Sequence, residues 1–455
     1  MKRFLGLAVQ AAGRGVKRMS NSDEVAAPGE FFVREFVQRI VVLAGTHLCN
    51  NPRVLKEAEA LGRAGYDVTV LGVWLDSHLK QRDCTLASSF SFIPVADLTG
   101  GGPRRLIRRS RGKLARLGYR VAGIETRGQL GYAGREQYHE ALLRKADLYI
   151  AHSEQAMGVA ADLLHRGHRV AVDMEDWFSE DFLPEARKHR PIRLIRSLEG
   201  ELLSQGIYSS CPSRAMSEAI AQEYGCRAPA VVYNAFPWAE RCFIDNSHED
   251  RVNSGLPSIH WFSQTLGEGR GLEDLFGALG YLRGEVEIHL RGAPTAGFEY
   301  MLSSQVPEAW RRRIFIHPQV PNDKLLSRIA EHDIGFAGET PLIRSRDLTV
   351  TNKILHYLLA GLVVVASDTA GQREVAAQAP GGVSLYPSGD PAALAACLDR
   401  LLGSADALRR AKVAALDAAE RTFCWERQEK ALLDSIARAL RSPSATEQTQ
   451  SPVPV

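Results

Sequence analysis

The chain has 455 residues, 45% hydrophobic and 24% charged, and 56 basic against 53 acidic side chains leave a net charge of +3. That is the composition of a soluble globular protein, long enough for two domains and for cores that need no disulfide or metal, and too evenly charged for a dedicated nucleic-acid binder. Seven cysteines, odd in number and without a CxxC pair, argue against a disulfide framework or zinc ribbon and for a reducing compartment, and no apolar run approaches the ~18–20 residues of a membrane span.

The N-terminal stretch is basic, and Gly6 and Gln10 dilute its apolar part, which reads as a tail or a weak interfacial helix rather than a signal peptide. From residue 39, short β-branched runs alternate with amphipathic segments. Residues 39–44 predict a buried strand and residues 45–47 a loop. Asn51 is then an N-cap and Pro52 the first helical residue, where a missing N–H costs nothing. Val54, Leu55, Ala58 and Leu61 follow at helical spacing, Gly62 to Gly65 end the helix, and residues 66–71 predict the next strand. A strand–helix–strand unit of this kind implies a parallel sheet.

The same grammar recurs at residues 147–151, 170–173 and 230–233. It restarts after a polar stretch at 245–257, with strands predicted at 258–262, 285–290, 313–316, 333–337, 362–366 and 382–385. The expected fold class is α/β, with two doubly wound Rossmann-like domains facing a cleft. The expected division is an N-terminal tail (1–37), a first domain (38–238), a second domain (239–420), a C-terminal helix packing back toward the first domain (421–441), and a disordered tail (442–455). Ala431, Leu432, Ile436 and Leu440 form the apolar face of that last helix.

In open parallel sheets, ligands bind beyond the carboxyl ends of the strands, near helix N-termini. Four loops there carry candidate chemistry. The first is Gly45-Thr46-His47; nothing in it matches GxGxxG, which counts against a nicotinamide enzyme. The second joins Ala151-His152-Ser153 to the run Asp173-Met174-Glu175-Asp176 after the following strand. His152 there can meet a ligand as an imidazole, and the three carboxylates can orient hydroxyls or cap the next helix. The third is Ser263 through Gly271, where glycines admit phosphate and Arg270 offers a bidentate contact. The fourth begins the helix Thr351-Asn352-Lys353, whose Lys353 and His356 stand at i and i+3 on one face, for a phosphate and a ribose or sugar hydroxyl. No DxD, HExxH or Cys/His cluster is present, so no metal is expected; GxSxG and the Walker pattern are missing as well.

Residues 103–120 hold Arg104, Arg105, Arg108, Arg109, Arg111, Lys113, Arg116 and Arg120 without a single acid, interleaved with Leu106, Ile107, Leu114 and Leu117. The near-neutral total thus hides one cationic segment with an apolar side, suited to an anionic bilayer surface.

Taken together, these residues resemble the GT-B glycosyltransferases of glycosyltransferase family 4, over about residues 39–441. Asn51-Pro52-Arg53 through Asp67-Val68-Thr69-Val70 is similar to the family's opening helix and strand. Asp147-Leu148-Tyr149-Ile150-Ala151-His152 is similar to its "DxxHxH" strand end, and Val232-Tyr233-Asn234-Ala235 to its domain junction. Arg270-Gly271 stands at its "KG" step, and Gln264 where an arginine is common. The most specific match runs from Asn352-Lys353 through Tyr357, Gly361 and Ala366.

The resemblance implies a retaining, metal-independent transfer from a nucleotide sugar to a cell-envelope or exopolysaccharide acceptor, free or lipid-linked. The protein would be cytoplasmic, or peripheral on the inner face of the cytoplasmic membrane. It places the donor on the second domain, with Arg270, Gly271, Lys353, Asn352, His356, Glu339 and Gln264, and the acceptor on the first, where the cleft loops offer Gly45, Thr46, His47 and Asp176. Arg270 and Lys353 would neutralise the leaving diphosphate, and His152 would contact the donor sugar or help the acceptor lose its proton. The chain departs from the family at its pair of glutamates: Leu348 stands at the first and His356 at the second, with Glu339, Arg346 and Asp347 nearby as substitutes. That departure keeps two other readings open, a non-catalytic nucleotide-sugar-binding partner and a same-fold sugar-nucleotide epimerase.

Overall fold

The computed structural model describes residues 37–442, apart from residues 87–88, 252–254 and 270 and the side chain of residue 104. Arg270, the side chain of Arg104 and the terminal segments expected to be tails lie outside the described residues.

The β-branched runs form two parallel sheets. The first holds β1 (Arg39–Leu43), β2 (Asp67–Trp74), β3 (Ser91–Asp97), β4 (Leu148–Ala151), β5 (Val170–Asp173), β6 (Tyr208–Cys211) and β7 (Ala230–Val231) in the order β3-β2-β1-β4-β5-β6-β7. The second holds β8 (Ser258–Leu266), β9 (Glu287–Pro294), β10 (Ile314–His317), β11 (Ile334–Ala337), β12 (Val363–Ser367) and β13 (Val383–Tyr386) in the order β10-β9-β8-β11-β12-β13. Both faces of each sheet are covered by helices, so the central strands read as unbroken apolar runs. The expectation of two doubly wound α/β sheets holds.

Two strands have no counterpart among the sequence expectations. β3 is an edge strand and tolerates Pro94, which removes a ladder donor. β6 reads Tyr-Ser-Ser-Cys, too polar to resemble a core strand; its Ser210 Oγ donates to the buried Asp173 Oδ2 at 2.9 Å.

In each sheet the strand order reverses once, between β1 and β4 and between β8 and β11, and this switch point is where α/β folds open a crevice for a ligand. Chain geometry at both points is tight. A Cβ on Gly45 would stand 2.5 Å from Ser153 Oγ, and one on Gly271 would stand 2.4 Å from the Gly338 carbonyl oxygen, at φ +79°. Glycine at these two places lets neighbouring loops touch.

The helix Trp425–Arg441 buries Trp425, Leu432, Ile436 and Leu440 in the core around β1 and the helix Pro52–Arg63. Its start is tied to the interdomain segment, where Trp425 N donates to Phe236 O at 2.9 Å.

The second domain also buries His260, His289 and His332, with His317 half-buried beside them. His260 stacks on His332 with ring centroids 4.5 Å apart, and His289 stacks on His317 with Nδ1 and Nε2 3.0 Å apart. Burial, reinforced by His332, His317 and Arg251, pushes His289 down to about 3, and His260, His317 and His332 are lowered as well. These rings are neutral in the folded protein. As pH falls below about 6.5, the unfolded chain takes up protons that the folded histidines refuse, so stability is lost with acid. For His289 alone the loss at pH 5 is about 2 kcal/mol. Thermal unfolding at pH 7 and pH 5 should show a clear drop in Tm, and the drop should be shallower in His289→Gln. Parallel curves for the two proteins would rule this out.

Candidate functional site

On the second-domain side, β8 runs on to Leu266, four residues beyond the expected strand end, so Gln264 lies on the strand and is exposed. Gly271 then opens the helix Leu272–Ala278 against Gly338, at the end of β11. Across this point the helix Asn352–Ala360 starts after Thr351 with no side-chain cap, which leaves its N-terminal amides and partial positive charge toward the cleft. Lys353 Nζ lies 2.6 Å from Glu339 Oε1 and 5.5 Å over the Trp261 ring. Glu339 is itself held, its backbone N–H donating to Ser367 Oγ at 2.7 Å. Lys353, Glu339 and Gly271 therefore meet at one switch point.

His356 does not join them. Its ring lies 3.5 Å from the Phe236 ring centroid and edge-on to Phe262, and Nδ1 donates to Asn352 O at 3.1 Å. Burial pushes it down to about 3, so its ring is neutral and packs the helix against the interdomain segment. The nearby substitutes divide. Asp347 Oδ1 accepts from Ala370 N at 3.2 Å and caps the next helix, Arg346 faces Asp181 at 3.5 Å, and only Glu339 stays beside Lys353.

On the first-domain side, most expected acceptor contacts have internal partners. His47 is buried; its Nε2 accepts from the backbone N–H groups of Leu75 and Asp76, so its proton sits on Nδ1 and is donated to Asp83 at 2.8 Å. Both nitrogens are engaged and the ring holds the β2 end in place. Gly45 provides the close approach to Ser153, and Thr46 O accepts from Val73 N.

His152, expected to act in the cleft, is fully buried with Nε2 2.8 Å from Glu57 Oε2. Burial opposes its charge, but Glu57, then Asp173 and Glu175, raise it to about 9. The Glu57 carboxylate beside it therefore favours the protonated imidazolium. Beside it, Arg53 Nε donates to both Asp173 oxygens at 2.8 and 2.9 Å, and Nη1 donates to Val232 O at 2.7 Å. Glu57, His152 and Asp173 are the one trio among the described residues close enough to share a metal ion. Their charge is already met by Arg53 and the imidazolium, so the set does not suit a divalent cation.

The carboxylates at the end of β5 thus have separate positions: Asp173 is buried with Arg53, Glu175 accepts from Asn51 Nδ2 at 3.0 Å, and Asp176 is exposed to the cleft. Loss of hydration within the cleft, then the like charges of Asp181 and Glu175, raise Asp176. A cavity of about 300 Å³ opens here, lined by Asn51, Glu175 and Asp176 from the first domain and by Asn234, Thr351 and Asn352. This is the low end of the size range of small-molecule sites, and its amides, hydroxyl and carboxylates suit a ligand rich in hydroxyls. A larger, mostly apolar cavity of about 440 Å³ around Leu401, Leu408 and Lys412 lies at the amino ends of β8, β11 and β12, beside Pro257, Asp333 and Gly361 and on the side away from the cleft loops.

Spacing alone did not point to Arg53, Lys56 or Asn234. Lys56 Nζ donates to Asn234 Oδ1 at 2.8 Å and to Ala235 O, and Asn234 Nδ2 donates to Asn352 Oδ1 at 3.0 Å. Burial, with Arg53, pushes Lys56 down to about 7. These bonds join the first helix of one domain to the Lys353 helix of the other.

No protein-family model matches the sequence, and no curated protein matches it. Solved structures do match in shape. Sucrose-phosphate synthase from Thermosynechococcus elongatus superposes with a TM-score of 0.66 at 13% identity, over 89% of this chain and 99% of that one. HepE from Anabaena, solved in complex with UDP-glucose, gives 0.63 at 16% identity over 88% and 99%. A UDP-forming α,α-trehalose-phosphate synthase from Burkholderia xenovorans gives 0.61 at 16% identity over 89% and 100%. The architecture is GT-B. In this GT-B chain the cleft loops of the first sheet bring Asn51, Glu175 and Asp176 to one side, and those of the second bring Gly271, Glu339 and Lys353 to the other.

The basic segment forms the helix Pro103–Ala122. Arg108 pairs with Glu136 at 2.9 Å and Arg105 donates to Gly100 O, while Arg109, Arg111, Lys113, Arg116 and Arg120 are exposed. No helix among the described residues is long and apolar enough to cross a membrane.

Proposed function

We propose that the protein is a glycosyltransferase that moves a sugar from a nucleotide-sugar donor, with retention and without a metal, to a cell-envelope or exopolysaccharide acceptor at an anionic membrane surface on the cytoplasmic side. The observation that carries this reading is Lys353 at the uncapped N-terminus of the helix Asn352–Ala360, facing the Gly271 turn at the switch point of the second sheet. An ammonium, helix N-terminal amides and a glycine turn make a cradle for a diphosphate. The UDP-glucose bound to HepE, a structure of the same fold, supports the donor class.

In the reaction, the sugar's bond to the diphosphate breaks and its bond to an acceptor hydroxyl forms, and the hydroxyl proton passes to the departing diphosphate oxygen. Charge gathers on the diphosphate, where Lys353 and Arg270 stabilise it. Asn51, Glu175, Asp176 and Asn352 bind sugar hydroxyls in the cavity. His152, held against Glu57 and favoured in its protonated form, adds positive charge on the first-domain side. The exposed basic residues of the helix Pro103–Ala122 bring the protein to the lipid-linked or surface-bound acceptor.

Leu348, at the end of the helix Arg344–Leu348, and His356, on the helix Asn352–Ala360, stand where the family pattern has carboxylates and favour a non-catalytic nucleotide-sugar binder as the second reading. Thermal unfolding with UDP, GDP and ADP at millimolar concentration tests the first step. At least one should raise Tm, since a ligand at 100 times its Kd adds about 2.7 kcal/mol of stability. No shift with any of the three would overturn both readings. Release of the nucleoside diphosphate from the matching nucleotide sugar then separates them, because the binder releases none.

A further inference from the structure

The helix Pro103–Ala122 is amphipathic in an unusual sense, because its apolar side faces water. Leu106, Ile107, Leu114, Leu117 and Val121 are 66, 51, 67, 54 and 79% exposed. At 100° per residue they project within an arc of about 100°. The protein holds the opposite side. Arg108 pairs there with Glu136, Gly112 lies against Tyr132, and Ala115 packs against Gly128. That contact aims the stripe outward. Arg109, Lys113, Arg116 and Arg120 border it on one flank and Arg111 on the other, all exposed. An isolated exposed leucine needs no explanation, but a continuous stripe of five residues does.

We propose that this helix is an in-plane membrane anchor: its apolar stripe enters the boundary between head groups and acyl chains, and its basic flanks engage anionic head groups. The inference rests on the membrane-surface reading above and adds insertion to it. Charge complementarity selects the occupant, since the cationic borders match an anionic bilayer and repel the same borders on a second copy of the chain. The helix is about 30 Å long and carries basic residues along its whole length, so it lies along a surface and does not cross one. It follows β3 through Gly100, Gly101 and Gly102, each with open space where a side chain would stand, so the joint lets the helix settle on a plane. That joint leaves the C-terminal end of β3, on the rim that carries the acceptor loops, so an inserted helix brings this rim to the bilayer.

Flotation of the full chain with vesicles of phosphatidylcholine, with and without phosphatidylglycerol, tests the proposal against Leu114→Ser/Leu117→Ser/Val121→Ser and Arg109→Ser/Lys113→Ser/Arg116→Ser/Arg120→Ser. The wild type should float with the anionic vesicles and stay partly bound in high salt. The apolar variant should lose about tenfold or more in partitioning with all charges kept. The charge variant should lose its preference for the anionic lipid. Wild type absent from anionic vesicles, or an apolar variant that binds as well as wild type, overturns insertion. A wild-type dimer that the apolar variant breaks, with neither floating, assigns the stripe to self-association and overturns it too. All these substitutions are on exposed positions, and a Tm equal to wild type confirms folding. The rise in Tm with whichever of UDP, GDP and ADP the wild type binds should persist in every variant; its absence from the wild type with all three would count against the proposed function and not against insertion.

Discussion

Arg53→Met should lower the unfolding free energy by about 3–5 kcal/mol, a large share of the stability of most proteins. Arg53 is 4% exposed, and its guanidinium holds both oxygens of the equally buried Asp173 together with the Val232 carbonyl. Methionine fills much of the volume, so the loss is electrostatic: Asp173 keeps its burial and loses its main partner. The direction of the pKa agrees. Burial alone would raise Asp173, and Arg53, with His152, brings it below the ordinary range. Urea unfolding should show a lower midpoint with an unchanged slope. Adding Asp173→Asn to Arg53→Met should recover part of the loss, because no unpaired charge is then buried. A single variant within 1 kcal/mol of wild type would mean that water reaches Asp173. The neighbouring ion pair adds a second signature of opposite pH sense to the histidine cluster. His152 is raised from 6.5 to about 9, so its contribution is complete below about 6.5 and is lost as pH rises through about 9.

The architecture was legible because the signal for it is local. Short runs rich in apolar residues mark strands covered on both faces, and all but two strands carry enough of one to be expected from the sequence. β3 and β6 do not, because an edge strand and a strand that serves a buried carboxylate lack that pattern. Site chemistry was only half legible, for a different reason. Residue type and position after a strand singled out His47 and His152, which follow β1 and β4 in the first sheet. Whether such a ring faces a ligand depends on partners distant in sequence: Asp83 lies 36 residues from His47, and Glu57 is 95 residues from His152. The same holds for His356. Helical spacing put it one turn from Lys353, but Phe236 on the interdomain segment covers it. Asp176 and Lys353 were read with fewer such dependencies, and both border the cleft.

Lys353→Ala should weaken UDP binding by about 1.5–3 kcal/mol, roughly 10- to 150-fold in Kd, the usual worth of a hydrogen bond to a charged group. The effect should be confined to the phosphates, so uridine, which has none, should bind both proteins alike. The pair with Glu339 sharpens the expectation. An ammonium has three donors, so Lys353 can keep the carboxylate at 2.6 Å and meet a phosphate oxygen as well. Removing the lysine then does two things. It deletes a donor and leaves the Glu339 charge facing the diphosphate uncompensated. Glu339→Gln alone should therefore tighten UDP binding, and Lys353→Ala/Glu339→Gln should bind more tightly than Lys353→Ala. Calorimetry on the four proteins measures both terms. Wild-type affinity in Lys353→Ala would place the diphosphate elsewhere and remove the observation on which the proposed function stands. A loss that Glu339→Gln does not relieve would show that the carboxylate turns away when the nucleotide binds, leaving the donor alone to account for the affinity.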